Sequence, residues 1–387
     1  MALQDALGKL QDTAASPLEQ AFSSPPEIYT SPDMLELELR EIFEREWHCP
    51  GLAADIPEPG DYVTFSIGDQ PVFSIRQKDG AIRSFSNVCR HRMMQLLEGS
   101  GNTRTIVCPY HAWTYGQDGS LRGASQMEKS KAFNKKDFCL PEIRTEIWNG
   151  WIYITLNQDA APVAQLLAPM NDLVAQFRMD KYIPCETQDH VWQTNWKLLT
   201  ENFMEGYHLP VAHKATVGQW IGLDDTVFPD EVSPHFTWQT FTKGETATYG
   251  LAAEANDYLE GRWRYTTIMP TVFPAHMYVL APDHVWYLSL RPKGVGEVHV
   301  RFGVALAPER IEAFPGKEAA LKDLVSFFDH VNEEDRFVVE GIFKGAHGAL
   351  AKAGPLSYLE REIHDFQKYL VARLCPDKTG AAKVAAE

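Results

Sequence analysis

Two cysteines and two histidines in two short segments constrain the fold of this chain more than any other feature of its sequence. The segments are Cys89-x-His91 and Cys108-x-x-His111, and sixteen residues separate them. Thiolate sulfur and imidazole nitrogen are common metal ligands in proteins. A chain that uses all four side chains on one metal centre must fold so that the two segments meet.

This ligand set suits a Rieske [2Fe–2S] cluster, in which two thiolates bind one iron and two neutral imidazoles bind the other. Histidine in place of cysteine raises the reduction potential, so such a centre can pass electrons to an iron that activates oxygen. A structural zinc site is the alternative, because two cysteines and two histidines also satisfy tetrahedral zinc. Zinc fingers usually group like ligands, whereas each segment here supplies one of each, which favours the cluster.

Composition excludes several other classes of protein. Six cysteines in 387 residues are too few and too scattered for a disulfide scaffold. The formal net charge of −16 argues against nucleic-acid or anionic-membrane partners. No apolar run approaches the roughly 18 to 20 residues that cross a bilayer, and the N-terminus shows no secretory signal. We therefore expect a cytoplasmic protein that is large enough for two domains.

The hydrophobic pattern changes character twice along the chain. A polar arm is followed by helical spacing over 34–47, and short alternating runs over 60–157 predict an all-β domain. Further patterns predict helices at 161–179 and 194–209, strands at 265–268, 276–281, 284–291 and 297–306, and helices at 317–345 and 356–374. The prediction is an α+β chain with an arm and helix over 1–44, a β domain over 45–157 and an α+β domain over 158–380.

Two histidines beside a proline predict a second metal site. Pro210 disfavours helical geometry at Leu209, so the helix predicted over 194–209 should end or kink there. His208 then lies on the last turn and His213 just past the break. The two imidazoles can converge on one ion, although a spacing of five would splay them on a straight helix.

An oxygen-activating iron needs a carboxylate as its third ligand, with positions left open for O2. Asp335 lies on the same helical stripe as the apolar residues Phe328 and Val331. A carboxylate that faces a core is costly unless it is paired or bound to metal. A buried salt bridge is the alternative role for Asp335. The neighbours Glu333 and Glu334 point elsewhere on the helix and are predicted to be solvated.

Because the two predicted metal sites follow each other in this order along the chain, the chain resembles the α subunits of Rieske oxygenases, the ring-hydroxylating oxygenase family. The resemblance covers nearly the whole chain and includes the segment N-W-K…E-N…Y-H…H after residue 194. It implies a Rieske domain followed by a helix-grip (START-like) catalytic domain with an antiparallel sheet and a long C-terminal helix. It also implies a [2Fe–2S] cluster on Cys89, His91, Cys108 and His111, and a mononuclear Fe(II) on His208, His213 and Asp335 with Asn202 nearby.

The resemblance gives Glu205 a role in electron transfer. In this family, an acidic residue three positions before the first iron-binding histidine links it to a cluster histidine of the neighbouring subunit. A homotrimer or hexamer is therefore implied, and the alternative is that Glu205 only orients His208. Glutamate at this position shifts the resemblance towards the glycine betaine, carnitine and stachydrine oxygenases. Phe343 stands where many relatives carry Gln.

The implied activity is hydroxylation and N-demethylation of a small betaine-like amine with O2. A separate NAD(P)H-dependent flavin or iron–sulfur reductase is implied, because the chain has no Gly-rich dinucleotide fingerprint. Two alternatives stay open: an aromatic ring-hydroxylating oxygenase, and a redox sensor or electron carrier without turnover.

Aromatic faces attract ammonium groups, and the candidates for the pocket wall are Trp220, Trp238, Trp263, Tyr265, Trp286 and Tyr287.

Overall fold

The chain divides into two structural units. Phe43–Gln165 form the smaller unit, and the larger combines Met1–Ile42 with Leu166–Glu387. The structure is a computed structural model that describes residues 2–242, 247, 249–313 and 317–375. The N-terminal 42 residues thus group with the second part of the chain rather than with the β-rich part that follows them.

The smaller unit is built from strands. They are β1 His48–Leu52, β2 Asp61–Ile67, β3 Gln70–Arg76, β4 Ile82–Ser86, β5 Ser100–Asn102, β6 Ile106–Val107, β7 Thr114–Tyr115, β8 Leu121–Gly123, β9 Glu142–Trp148 and β10 Trp151–Thr155. Seven form an antiparallel sheet in the order β1-β10-β9-β4-β3-β2-β5, and three form a sheet in the order β6-β7-β8. In β2, the buried Val63, Phe65 and Ile67 alternate with less buried residues, as a sheet with one covered face requires. The predicted β domain is confirmed.

The larger unit combines a sheet with helices. Its strands are β11 Ile183–Trp192, β12 Phe236–Thr242, β13 Thr266–Val272, β14 His276–Leu280, β15 His284–Gly294 and β16 Glu297–Leu306. They pair antiparallel in the order β11-β16-β15-β14-β13-β12. The α-helices of the described chain are α1 Ala2–Ala15, α2 Pro26–Thr30, α3 Pro32–Glu38, α4 Val163–Leu166, α5 Ala168–Ala175, α6 Trp196–Phe203, α7 Leu209–Ala212, α8 Pro308–Glu312, α9 Lys317–Ala346 and α10 Arg361–Leu374.

Three helices cover this sheet and position the site described below. Helix α6 contacts β15, α9 contacts β11, and α10 contacts β12, while α6 also contacts both other helices. Every residue of α6 and of β14 is buried, so these two elements form the centre of the unit. The predicted α+β class with an antiparallel sheet and a long C-terminal helix is confirmed. Among the described helices, none combines the length and apolarity that crossing a bilayer requires.

The prediction of a polar arm at the N-terminus is wrong. Residues 2–15 form α1, which packs on α10. Leu7, Leu10 and Ala14 are buried, and their spacing of three and four residues places them on one helix face. Polar residues between them mask this short stripe in the sequence. Strands β11 and β12 also have no counterpart among the predicted strands. For β11 the reason is that it lies at a sheet edge and is only partly buried, so its hydrophobic pattern is weak.

A buried ion pair ties α3 to α6. The Lys197 ammonium lies 2.6 Å from the Glu38 carboxylate, and both side chains are fully buried. The indole N–H of Trp196 donates to the second Glu38 oxygen at 2.8 Å. Burial raises the pKa of Glu38 and lowers that of Lys197, so each charge depends on its partner. Removing one partner would leave the other charge buried and unpaired.

We therefore expect Lys197→Ala to lower the free energy of unfolding by about 3–5 kcal/mol. Urea-induced unfolding followed by fluorescence measures the change. The matched control is Lys181→Ala, which breaks an ion pair with Asp180 that is largely exposed to solvent. That substitution should cost less than about 1 kcal/mol. Equal losses in the two variants would show that the buried pair does not stabilise this unit.

Candidate metal centres

The two Cys–His segments form loops with the same backbone geometry. In each loop, the cysteine N–H donates to the carbonyl five residues later at 2.8 Å. The cysteine carbonyl accepts the amide four residues later, at 3.1 Å after Cys89 and 3.0 Å after Cys108. That fourth residue, Met93 or Ala112, adopts the left-handed region with φ of 57° or 55°. Non-glycine residues rarely adopt it, so the two loops share an uncommon backbone conformation.

The four predicted cluster ligands lie together at these loops. Burial raises the pKa of the Cys108 thiol, and the nearby Cys89 thiol contributes to the increase. The rings of His91 and His111 have centroids 4.7 Å apart. The Nδ1 atom of His91 is buried, and no described residue gives it a hydrogen bond. Buried nitrogens need partners, and an iron of a [2Fe–2S] cluster would supply one, so these residues fit the group.

Aromatic side chains complete the surroundings of the cysteine loops. The Tyr115 hydroxyl lies 3.4 Å from the Cys89 sulfur and accepts the backbone N–H of Arg90 at 3.0 Å. The His91 ring stacks on Trp113 with centroids 4.9 Å apart. Hydrogen bonds to a ligating sulfur help to set the potential of such a cluster. Tyr115 is therefore in a position to tune the cysteine that it contacts.

The helix before the second site breaks earlier than predicted. Helix α6 ends at Phe203, and α7 begins at Leu209 with Pro210 in its first turn. Proline is favoured there, because its missing N–H would have no intrahelical partner. The prediction that Pro210 ends one long helix is therefore wrong: the residue starts a new helix. His208 and His213 flank this helix at its two ends, and this placement brings their rings together.

The structure places three predicted iron ligands around one point. The Nε2 atoms of His208 and His213 are 3.2 Å apart. The Asp335 Oδ1 atom lies 3.0 Å from the Nε2 atom of His213 and 3.5 Å from that of His208. Ligands bound at about 2.1 Å and 90° apart would lie about 3.0 Å from each other. The three atoms therefore fit adjacent positions around a single ion.

The electrostatics of this group favour a cation. Burial alone would lower the pKa of His208, but the carboxylates of Asp335 and Glu205 raise it to about 10. Burial alone would raise the pKa of Asp335, but His208 and His213 hold it well below its usual range. A positive charge between these side chains is thus strongly stabilised. The same carboxylates would stabilise a divalent metal ion, and both imidazoles would then be neutral.

Each ligand is oriented by a neighbouring side chain. The Glu205 carboxylate contacts the Nδ1 atom of His208 and accepts the backbone N–H of the same residue at 3.0 Å. The Asn202 amide donates to Asp335 Oδ1 at 2.7 Å. Such partners fix the orientation of metal ligands and increase their affinity for the ion. Asn202 therefore lies beside the predicted iron ligands, as the resemblance implies.

The prediction that Glu334 is solvated is wrong. Its carboxylate accepts a hydrogen bond from the Nδ1 atom of His213 at 2.7 Å and from the Thr216 hydroxyl at 2.6 Å. Its side chain is 15% exposed, compared with 78% for Glu333. The apolar stripe of α9 suggested a solvated position, but the segment after α7 covers this part of the helix. Only the tertiary structure shows that contact.

Glu334→Ala should weaken iron binding at the second site by about 10- to 100-fold, because His213 loses the carboxylate that orients it. Titration of metal-depleted protein with Fe(II) under anaerobic conditions measures the change. Glu333→Ala is the matched control, since it removes an exposed carboxylate from the adjacent position. An affinity in Glu334→Ala equal to that of the control would contradict the orienting role.

The three predicted iron ligands line a cavity of about 720 Å³, counting the part that is open to solvent. Most of its wall is apolar, and its aromatic residues are Phe203, Trp220, Phe241, Tyr249, Trp286, Phe327 and Phe328. Two of the six predicted aromatic candidates, Trp220 and Trp286, are therefore in the wall. Tyr287 follows Trp286 in β15 and points to the opposite face of the sheet. Trp238, Trp263 and Tyr265 are not among the described wall residues either.

Several wall residues are not among those predicted from the sequence. Phe241 lies in β12, which was not predicted, and Tyr249 lies in a segment that shows no regular pattern. His284 is also in the wall, and its partner is the preceding Asp283. An adjacent Asp-His pair at the start of a predicted strand was the available signal for it. Such a pair is common, so its position beside the cavity had to come from the structure.

Known proteins share both parts of this architecture. The model of the Rieske [2Fe–2S] domain matches residues 46–138, and that of the ring-hydroxylating α subunit (catalytic domain) matches 175–375. A glycine betaine monooxygenase oxygenase subunit of Chromohalobacter salexigens is 36% identical over 232 residues, 59% of this chain and 52% of that protein. A carnitine monooxygenase oxygenase subunit of Acinetobacter baumannii is 30% identical over 250 residues, 62% of each chain. The matches thus span about half to three-fifths of these relatives.

A solved structure has the same fold over nearly the whole chain. It is the crystal structure of the quaternary ammonium Rieske monooxygenase CntA in complex with an inhibitor. The TM-score is 0.81 at 23% identity, with 93% of this chain and 97% of that chain covered. One [2Fe–2S] cluster and one mononuclear iron, the cofactors expected from the sequence, are confirmed as those of the two matched domains. With a Rieske domain and a catalytic domain in this order, the chain belongs to the ring-hydroxylating α-subunit family.

Proposed function

We propose that this chain is the terminal oxygenase component of a Rieske-type system that N-demethylates a small quaternary or N-methylated amine of the betaine class. The observation that carries the proposal is the two-histidine, one-carboxylate group at the aromatic cavity. That ligand set is typical of non-haem Fe(II) oxygenases. The relatives named as glycine betaine and carnitine monooxygenase subunits support the amine class.

The overall reaction consumes one O2 molecule, two electrons and two protons for each N-methyl group removed. One atom of O2 enters a C–H bond of an N-methyl group, and the other leaves as water. The resulting carbinolamine releases formaldehyde, and the nitrogen of a quaternary substrate is left as a tertiary amine plus a proton. Iron held by His208, His213 and Asp335 supplies the oxygen chemistry when it is bound.

The residues of the chain hold the ion and position the substrate. Glu205, Glu334 and Asn202 orient the three ligands through the hydrogen bonds described above. The aromatic wall excludes water and offers ring faces to an ammonium group, which ring quadrupoles attract. Trp286 packs edge-on against Phe203 with centroids 5.9 Å apart, so this part of the wall is held in place. An N-methyl group bound against such rings would lie in the same cavity as the ligands.

Electrons would come from a separate NAD(P)H-dependent flavin or iron–sulfur reductase through the cluster. The cluster ligands and the iron ligands belong to different structural units of the chain. We propose a homotrimer or hexamer in which Glu205 links the iron site of one subunit to the cluster of its neighbour. Both oxygens of the Glu205 carboxylate contact His208, and each carries a second lone pair that can accept another hydrogen bond.

A substrate screen on anaerobically reconstituted protein tests the proposed activity. With a compatible Rieske reductase, NADH-dependent O2 uptake and formaldehyde are measured for glycine betaine, carnitine, proline betaine and simple aromatic acids. Formaldehyde that increases with O2 uptake for an amine supports the proposal. Hydroxylated arene without formaldehyde would instead establish an aromatic ring-hydroxylating oxygenase. Reversible cluster reduction with no product from any substrate would indicate the redox sensor or electron carrier.

A further inference from the structure

The described wall of the catalytic cavity contains a buried hydroxyl without a partner. Thr267 lies in β13 and is 2% exposed, and no described residue makes a hydrogen bond to its Oγ1 atom. Among the described wall residues, no other has a buried side-chain nitrogen or oxygen that lacks a partner. Buried polar groups are nearly always paired, so a ligand of the cavity is a candidate partner for this hydroxyl.

A second polar side chain without a partner lies on the neighbouring strand. Gln239 of β12 is fully buried, and no described residue makes a hydrogen bond to its Nε2 or Oε1 atom. It pairs with Met269, while Phe241 of the same strand pairs with Thr267. Both Met269 and Phe241 are in the cavity wall. Because alternate residues of a strand face the same side, Gln239 lies on the cavity side of the sheet, diagonal to Thr267.

The chemistry of these two side chains suits an anionic group. The Thr267 hydroxyl can donate one hydrogen bond, and the Gln239 amide can donate two. None of the described wall residues is lysine or arginine, so an anion in this cavity would depend on neutral donors. Hydrogen bonds from neutral donors to a charged acceptor are stronger than those between neutral groups. A carboxylate has two oxygens and can therefore accept from both side chains at once.

We propose that Thr267 and Gln239 bind the carboxylate of the substrate through their O–H and N–H groups. The inference rests on the proposed function and narrows it to amines that also carry an acidic group. The predicted iron ligands lie on α9 and at the two ends of α7, whereas both donors lie on strands of the sheet. A carboxylate bound at the sheet would leave the N-methyl end of the substrate for the aromatic wall and the iron ligands.

Substitutions that keep the shape of each side chain test the two donors. Thr267→Val and Gln239→Met remove the hydrogen bonds to the ligand. Neither should lower the unfolding temperature of the ligand-free protein, because an apolar group replaces an unpaired polar one. Thr271→Val is the matched control. Its hydroxyl is also buried on this face without a partner, but Thr271 pairs with Thr237, and neither is among the described wall residues.

The experiment compares glycine betaine with ethyltrimethylammonium, which has the same cationic group but no carboxylate. Anaerobic calorimetry on the full-length protein, with cluster and iron loaded, measures both dissociation constants. Thr267→Val and Gln239→Met should each weaken glycine betaine binding by about 10- to 100-fold, the loss expected for a hydrogen bond to a charged group. Binding of ethyltrimethylammonium to these variants, and of both ligands to Thr271→Val, should change by less than about 3-fold.

The proposal fails if either variant leaves glycine betaine binding unchanged or weakens the two ligands equally. It also fails if Thr271→Val weakens glycine betaine binding as much as Thr267→Val does. Choline, which has a hydroxyl in place of the carboxylate, tests for a different ligand group. If Thr267→Val weakens choline binding and leaves glycine betaine binding unchanged, the site binds a hydroxyl and the carboxylate assignment is wrong.

Benzoate separates these outcomes from a failure of the proposed function. If the wild-type protein binds benzoate but none of the amines, the demethylase activity is wrong. The carboxylate-binding role then stands if Thr267→Val weakens benzoate binding by about 10- to 100-fold, and it fails if benzoate binding is unchanged. A wild-type protein that binds neither benzoate nor glycine betaine would overturn the carboxylate-binding role as well.

Discussion

Asp335→Ala should abolish binding of the mononuclear iron and lower turnover by at least about 1000-fold, equal to about 4 kcal/mol in activation free energy. The substitution removes one of three atoms that converge within 3.0–3.5 Å. It also leaves His208 and His213 without the carboxylate that offsets part of the charge of the ion. Iron content should fall from about three to about two atoms per chain, since the [2Fe–2S] cluster is held elsewhere.

Two measurements separate this effect from unfolding. The visible absorption of the cluster should be unchanged in Asp335→Ala, because its predicted ligands lie in the other structural unit. Glu333→Ala, two positions away on α9 and exposed, should keep full iron content and turnover. A variant Asp335→Ala that retained the third iron atom would show that Asp335 is a structural salt-bridge partner and not a ligand.

Glu205→Ala should slow electron transfer from the cluster to the iron by at least about 100-fold, or about 2.7 kcal/mol in activation free energy. The protein is reduced anaerobically, freed of reductant, and mixed with O2 and substrate in a stopped-flow instrument. The return of the oxidised cluster absorption reports the transfer. In the proposed trimer, the variant loses the carboxylate that joins His208 to the neighbouring cluster, and saturating Fe(II) keeps the iron site loaded during the measurement.

Glu334→Ala distinguishes a bridge from an orienting residue. Glu334 contacts His213 much as Glu205 contacts His208, so each variant loses the carboxylate partner of one predicted iron ligand. With saturating Fe(II), Glu334→Ala should reoxidise its cluster at nearly the wild-type rate. Glu205→Ala should stay slow under the same conditions. Normal reoxidation in Glu205→Ala at saturating iron would leave Glu205 with the orienting role alone.

The sequence predicts two kinds of site residue well: ligands that come from short loops of fixed spacing, and charged residues whose burial is energetically costly. The two Cys–His segments can be recognised because cluster ligands come from short loops of fixed spacing. Asp335 was identified because a carboxylate on an apolar helix stripe requires compensation. His208 and His213 lie together as predicted, although Pro210 starts a new helix instead of ending the preceding one. That error concerns where one helix ends, which depends on how the following segment packs.

The partners of these residues could not be read from the sequence. Glu334 was predicted to be solvated, because the segment that reaches it from α7 is more than 100 residues away in the chain. His284 lies in the cavity wall because β15 lines the cavity, a placement that no local pattern predicts. Phe241 and Tyr249 joined the wall for the same reason. Contacts between distant segments determine these roles, and no local pattern records them.

A single-turnover experiment without any reductase tests whether this chain N-demethylates an amine with O2. Fully reduced, iron-loaded protein is mixed with limiting O2 and the amine that binds most tightly, and formaldehyde, demethylated amine and hydrogen peroxide are quantified. Formaldehyde and demethylated amine should form in amounts equal to the O2 consumed, as the cluster becomes oxidised. Consumption of O2 with hydrogen peroxide as the product, and with the amine unchanged, would contradict the proposed activity.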